Sequence, residues 1–223
     1  MRRFIITLDG PAGAGKSTVA KALAKRLGYR YLDTGAMYRA ITWKALETGV
    51  ALDDEPGLAG IARESQLELR AEPDNLHVLI DGEDVTSRIR EPRISQAVSH
   101  VAKVPGVRRE MVDQQRRIGE GGGLVAEGRD MATVVFPEAE LKIYLDASPR
   151  ERARRRASDL AAAGHGKLDL EALEREIAER DRIDSTRDVA PLTHSAEHTH
   201  VPTDNLDVDQ VVDQILGLMP ARA

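Results

Sequence analysis

Residues 10–18, GPAGAGKST, bring three glycines, a lysine and two hydroxyls into one short stretch. The run Gly10-Pro11-Ala12-Gly13-Ala14-Gly15-Lys16-Ser17 fits the pattern G-x-x-x-x-G-K-S/T, and Thr18 follows directly. Glycines let backbone N–H groups converge on anionic oxygens without Cβ clashes. A helix opening at Lys16 points the positive end of its dipole at the same spot. Lys16 can reach the β- and γ-phosphates of a nucleoside triphosphate, and Ser17 can supply a hydroxyl ligand to its Mg²⁺. The bland alternative is a glycine-rich turn with an incidental serine. It leaves unexplained why the stretch follows a strand-like run and opens a helix-like one.

Other charged residues fall where strands meet helices. YLDTGAMYR (31–39) carries Thr34, Tyr38 and Arg39; VAEGRDM (125–131) carries Arg129 and Asp130; VPGVRRE carries Arg108. ERDRIDSTRDVAPL (179–192) adds Arg180, Asp184 and Arg187. Open α/β sheets bind ligands outside the carboxyl ends of their strands, which places these groups along one edge opposite the loop. Singly, each reads as a surface ion pair or a cap. A third cluster, Arg150, Arg152, Arg154, Arg155 and Arg156, crowds SPRERARRRASDL (148–160). The expectation is a lid that closes over phosphates and excludes water, with Arg152 and Arg155 sharing a face at i, i+3. A solvated helix face or a nucleic-acid patch are the alternatives.

Phe4 to Leu8 reads as a buried parallel strand, and Lys16 to Leu27 as a helix with a stripe at Val19, Ala20, Leu23, Ala24 and Leu27. Gly28 stops it. A strand at Tyr29–Leu32 and a helix from about Ala36 to Thr48 continue the rhythm of a parallel sheet covered by helices. LELRAEPDNLHVLIDGEDVT (67–86) instead alternates apolar and polar, with turns at Pro73-Asp74-Asn75 and Asp81-Gly82, and reads as an inserted antiparallel unit. Helices follow around Arg93–Lys103 and Val107–Ile118, then strands at Leu124–Ala126 and Leu141–Leu145. A basic helix runs from Pro149 to about Ala162, a flexible break covers 161–169, and a helix covers Leu170–Arg182. A strand near His198–Val201 and a helix at Val208–Met219 close the chain. The division expected is a core of 1–62 and 104–223 with a lid at about 150–168, and an insert of 63–103.

At 223 residues the chain suits one α/β domain with an insertion. A formal net charge of -5 and an aromatic content of 3% argue against a surface that binds nucleic acid by bulk charge and stacking. With no cysteine, disulfides, zinc-thiolate sites and thiol catalysis are excluded, which suits a reducing cytoplasm. MRRFIITLDG starts like a signal peptide, but Asp9 interrupts the apolar run and no small-residue cleavage site follows. No stretch approaches the roughly 18 apolar residues of a membrane span. The expectation is a cytoplasmic protein with no membrane partner. His194, His198 and His200 read as surface or strand residues rather than a metal site. An Asn-Lys-x-Asp guanine motif is absent, and the short chain with insertions favours a small-molecule phosphotransferase over a switch or motor.

ITLDGPAGAGKST, YLDTGAMYRA, EGRDMATVVFP with KIYLDAS, and ERDRIDSTRDVAPL resemble the signature stretches of bacterial cytidylate kinase. They occur in order over nearly the whole chain, and the inserted β unit resembles the enlarged monophosphate-binding insert of those enzymes. THSAEHTHVPTDN departs from the family, where the final strand is usually more apolar. The resemblance implies a three-layer α/β fold of the P-loop nucleoside monophosphate kinase kind, acting as a monomer on ATP with Mg²⁺ and on CMP or dCMP. It implies that Tyr38, Arg39 and Arg129, with Thr34 nearby, hold the acceptor α-phosphate. Ser99, Arg108 and Asp130 would read the cytosine edge, Arg180 and Asp184 the ribose, and Arg187 the phosphate or base. Lys16, Arg129, Arg152 and Arg155 would stabilise the transferring phosphoryl group. A carboxylate accepts from the exocyclic amine of cytosine but repels the carbonyl of uracil, while an arginine donates to O2 and N3. The nucleophile, a phosphate oxygen with a second pKa of about 6, needs no general base. Rival readings are a sibling kinase for UMP, shikimate or dephospho-coenzyme A, and a nucleotide-dependent RNA-binding regulator without transfer activity.

Overall fold

The computed structural model describes residues 3–71, 76–162, 164 and 169–220. The expected turn at Pro73-Asp74-Asn75 and most of the break at 161–169 lie outside them. The chain runs β1 (Ile5–Asp9), α1 (Lys16–Leu27), β2 (Arg30–Asp33), α2 (Thr34–Glu47), α3 (Glu55–Glu64), β3 (Leu67–Ala71), β4 (Leu76–Ile80) and β5 (Glu83–Asp84). It continues with α4 (Pro92–Ala102), α5 (Pro105–Gly119), β6 (Leu124–Glu127), β7 (Leu141–Asp146), α6 (Pro149–Ala162), α7 (Leu170–Thr186), β8 (Thr199–Pro202) and α8 (Val208–Gly217). A short π-helical turn at Met131–Val135 follows β6.

Five strands form a parallel sheet in the order β2-β6-β1-β7-β8. Alternation sorts its side chains into two layers of core. In β6, Val125 packs with α1 and α8, while Leu124 and Ala126 pack with α2 and α5. The register sets Asp33 and Leu8 on either side of Glu127, and Asp9 beside Tyr144. Three carboxylates therefore stand at the carboxyl ends of adjacent strands.

The insert is a three-stranded antiparallel sheet, β3-β4-β5. Its turn is Asp81-Gly82, with φ of 52° and 82°, the left-handed pair that a two-residue hairpin requires. Val78 and Ile80 of β4 and Ile94 and Val98 of α4 share one core with α2, α3 and α5.

Helix α3 is missing from the sequence reading because Pro56, Gly57 and Gly60 look like breakers. Asp54 caps it by accepting the Gly57 N–H at 3.0 Å, and proline is tolerated in a first turn. Gly57 is tight against that cap, where a Cβ would sit 2.3 Å from Asp54 Oδ2, and the helix lies close on α5, where a Cβ on Gly106 would sit 2.5 Å from Ala59 Cβ. Helix α7 outruns its expected end at Arg182 because Ser185 and Thr186 hydroxyls both donate to the Arg182 carbonyl. That extra turn carries Asp184. Helix α2 likewise begins at Thr34, since Asp33 accepts the Ala36 N–H at 2.8 Å. Among the described residues no helix is long and apolar enough to cross a membrane.

Candidate active site

Between β1 and α1 the chain makes the turn expected of a phosphate loop. Gly10 has φ of 144°, and a Cβ there would lie 2.0 Å from the Leu145 carbonyl oxygen, so only glycine fits. Gly15 caps α1 with no side-chain hydrogen bond, leaving the first amides of the helix to an anion. Lys16 is buried and its Nζ donates to the Pro11 carbonyl at 2.8 Å. Burial, then the charge of Arg129, pushes Lys16 down to about 7, against the pull of Glu127.

Ser17 Oγ donates to Glu127 Oε2 at 3.0 Å, and the Tyr31 hydroxyl donates to the other oxygen. Burial, then the charge of Asp33, raises the pKa of Glu127. Burial beside Glu127 also raises that of Tyr31. Asp33 pairs with Arg39 at 3.1 Å. Glu127, Asp33 and Tyr31 are absent from the residues singled out in the sequence. The rule that ligands gather at strand carboxyl ends would have found the two carboxylates, since both close strands of the same edge.

Across the cleft, Asp130 is buried and forms a close ion pair with Arg108, while Arg187 Nη2 lies 3.6 Å from its other oxygen. Burial outweighs both arginines and leaves the Asp130 pKa raised. The Tyr38 ring lies 5.7 Å from the Arg108 guanidinium, and burial pushes its hydroxyl up to about 12. Asp184 accepts from Arg129 Nε at 2.9 Å and from Ser99 Oγ at 3.3 Å. Although burial opposes it, Arg129 and Arg180 hold that carboxyl below its ordinary range. Among the described residues the Arg180 Nε has no hydrogen-bond partner. Burial, then Arg129, pushes it down to about 10.

Every acceptor-side residue expected from the sequence lines one cavity of about 400 Å³ together with Lys16, Ser17 and Thr18. Thr34 donates its hydroxyl to the Glu127 carbonyl at 2.6 Å and so ties α2 to β6. The two arginines expected to share a lid face are placed differently. Arg155 lines the cavity and donates to Thr203 Oγ1 and O at 3.0 and 2.8 Å. Arg152 does not line it. Its guanidinium is buried against the Ala147 and Ala12 carbonyls and pairs with Asp181, which also accepts the Ala12 N–H. Arg152 thus braces the phosphate loop from behind, and Arg156 faces the cavity beside Arg180.

Of the three histidines, His194 and His200 are exposed as expected, and one departs. His198 is buried, not a surface or strand residue, with Nε2 3.2 Å from Asp9 Oδ2. Its ring and those of His194 and His200 gather around Tyr144 at 5.0–6.2 Å, and the latter two histidines are exposed. Among the described residues no group of three or more such side chains is placed to hold a metal by itself.

The family model for cytidylate kinase matches residues 6–221. A cytidylate kinase from Pelotomaculum thermopropionicum is 51% identical over 217 residues, 97% of this chain and 96% of that one. A bifunctional pantoate ligase/cytidylate kinase from Synechococcus elongatus is 53% identical over 226 residues, 99% of this chain but 43% of its own length. An uncharacterized protein from Eubacterium ventriosum shares the fold at a TM-score of 0.54 and 13% identity, covering 99% of this chain and 100% of that one. With near-complete coverage at about half identity, on a sheet edge that brings phosphate loop and arginines together, the chain belongs to the cytidylate kinase family.

Proposed function

We infer that this chain is an ATP-dependent kinase that transfers the γ-phosphate of ATP to CMP, and to dCMP by the same site. The observation that carries the reading is the surplus of buried positive charge facing the loop. Arg129 and Arg180 depress the proton affinity of Lys16, Arg129 also depresses that of Arg180, and among the described residues the Arg180 Nε has no hydrogen-bond partner. Phosphates are the partners that such a set lacks.

The loop amides and Lys16 cradle the ATP phosphates, and Arg39, Arg129 and Arg180 hold the acceptor phosphate in line with them. Asp130 accepts from the exocyclic amine of cytosine, with Arg108 and Arg187 fixing its orientation. Residues 63–103 serve as the acceptor-binding unit, and 150–168 as a lid that closes with Arg155 and Arg156 over the donor.

The chemistry of the donor set fits Mg²⁺: Ser17 Oγ and Glu127 Oε2 are hard oxygens 3.0 Å apart, at the phosphate end of the cavity. When bound, the ion neutralises charge on the transferring phosphoryl group. Among the described residues no cluster of three or more His, Asp or Glu side chains is placed to hold a metal unaided, so these two residues would hold it jointly with the triphosphate. Asp33 is engaged by Arg39 and stands behind them.

A role in RNA binding through α6 finds little support, since Arg152, Arg154 and Arg155 are each paired with Asp181 or Glu151. We place the enzyme in the cytoplasm as a monomer acting on free nucleotides. Incubation with MgATP and, separately, CMP, dCMP, UMP, AMP and shikimate tests the reading. Rapid ADP release with CMP and dCMP is expected; turnover confined to UMP or shikimate overturns it.

A further inference from the structure

Asp9, the last residue of β1, is fully buried next to the phosphate loop, and its carboxylate serves three donors. Oδ1 accepts the Met131 N–H at 2.8 Å, and Oδ2 accepts the Ala132 N–H at 2.8 Å. The third donor is His198 Nε2, 3.2 Å from Oδ2, with both side chains fully buried. On its other side the ring is tied to Ser195, whose backbone N–H lies 3.1 Å from Nδ1 and whose hydroxyl lies 2.9 Å from it. A backbone N–H can only donate, so Nδ1 accepts and the ring proton sits on Nε2, aimed at Asp9.

The two amides that Asp9 takes open the π-helical turn Met131–Val135. Asp130 occupies the cap position of that turn but makes no side-chain cap bond. Aspartate at a cap ordinarily accepts the N–H of the second or third residue of its turn, here Ala132 or Thr133. Instead Asp9 accepts the Ala132 N–H, which leaves the Asp130 carboxylate free to turn to Arg108 and Arg187.

We propose that His198 is a positioning residue for base recognition: by fixing Asp9 on the Met131 and Ala132 amides, it keeps Asp130 in the acceptor pocket. This deepens, and rests on, the reading of Asp130 as the contact to the cytosine amine. Loss of the Nε2 donor loosens Asp9 and lets Asp130 compete for the amides of its own turn. The cost falls on the acceptor side, because the phosphate loop is braced independently by Arg152 and Asp181.

The test compares His198→Phe, which keeps a ring against Tyr144 but has no donor, with His198→Gln, whose amide reaches as far as Nε2. His198→Phe is expected to raise KM for CMP about tenfold and to lower the CMP-over-UMP preference, with KM for ATP unchanged, the scale of one buried bond to a charged acceptor. His198→Gln is expected to restore both values. An unchanged CMP preference in His198→Phe, or an equal rise in KM for ATP and CMP that His198→Gln fails to reverse, overturns the proposal. Asp130→Ala separates the two levels. If it leaves base preference intact, the base-contact reading itself falls; if it shifts preference while His198→Phe does not, only the role of His198 falls. Nitrogen NMR of the unaltered protein reads the tautomer directly, and a ring protonated on Nδ1 overturns the proposal whatever the variants do.

Discussion

At the base end of the cleft Asp130 lies between Arg108 and Arg187, whereas at the phosphate end Lys16, Arg129 and Arg180 crowd together. Arg129 has Asp184 for a partner, while among the described residues neither the Arg180 Nε at one end nor the Arg187 Nη2 at the other has a hydrogen-bond partner. The first set holds its one carboxylate between two guanidiniums before any ligand arrives. In the second the cations lower the proton affinity of Lys16 and Arg180, a strain that an anion relieves. A buried pair is costly to break once formed, while an unrelieved surplus costs stability until it is occupied. On the proposed reading, the carboxylate that meets the base is held from both sides in advance, and the phosphate site is completed by its substrates.

Lys16→Ala gives the largest break in this contrast. It removes the group that follows charge onto the transferring phosphoryl, so kcat is expected to fall about a thousandfold. Folding should survive, because the variant also removes a buried cation whose charged form burial opposes. Steady-state kinetics beside a thermal melt check both halves; turnover near that of the parent would remove Lys16 from the chemistry.

Asp130→Ala should behave in the reverse way. It strands Arg108 in a buried position without its carboxylate, at a cost of about 3 kcal/mol of stability. The CMP-over-UMP preference should shrink more than the maximal rate. A variant as stable as the parent in chemical denaturation would mean that the base end is not held by this pair.

The same contrast explains what the sequence made legible. The phosphate loop is contiguous, and its function depends on backbone geometry that glycine spacing encodes, so residues 10–18 could be read directly. The acceptor pocket draws on β6, α2, α4, α5 and α7, and no local pattern links Arg108 to Asp130 or Ser99 to Asp184. Those positions came from resemblance, and the structure brings them to one cavity. Arg152 shows the limit of helix-face reasoning: it shares the i, i+3 face with Arg155, but Asp181 and the Ala12 carbonyl draw it behind the loop. His198 was misplaced for a similar reason, since its partner Asp9 lies 189 residues away along the chain. Helix α3 was hidden by Pro56, Gly57 and Gly60, although Asp54 caps it and Ala59 seats it against Gly106 of α5.

A subtler effect follows from the depressed Lys16. Its folded pKa of about 7 lies below the ordinary lysine value of 10.5. Between those limits the unfolded chain binds a proton that the folded chain has released, so the stability of the empty protein rises with pH across that window. Below about 7 both states are charged, the penalty is at its full size, and this group adds no further slope. A bound triphosphate supplies the counter-charge and returns the proton affinity towards normal, which flattens the rise. Thermal melts from pH 7 upward, with and without a non-transferable ATP analogue, read the difference, and Lys16→Met should flatten the curve of the empty protein as the analogue does. A slope that persists in Lys16→Met would assign it to another group and would leave the phosphate end no more strained than the base end.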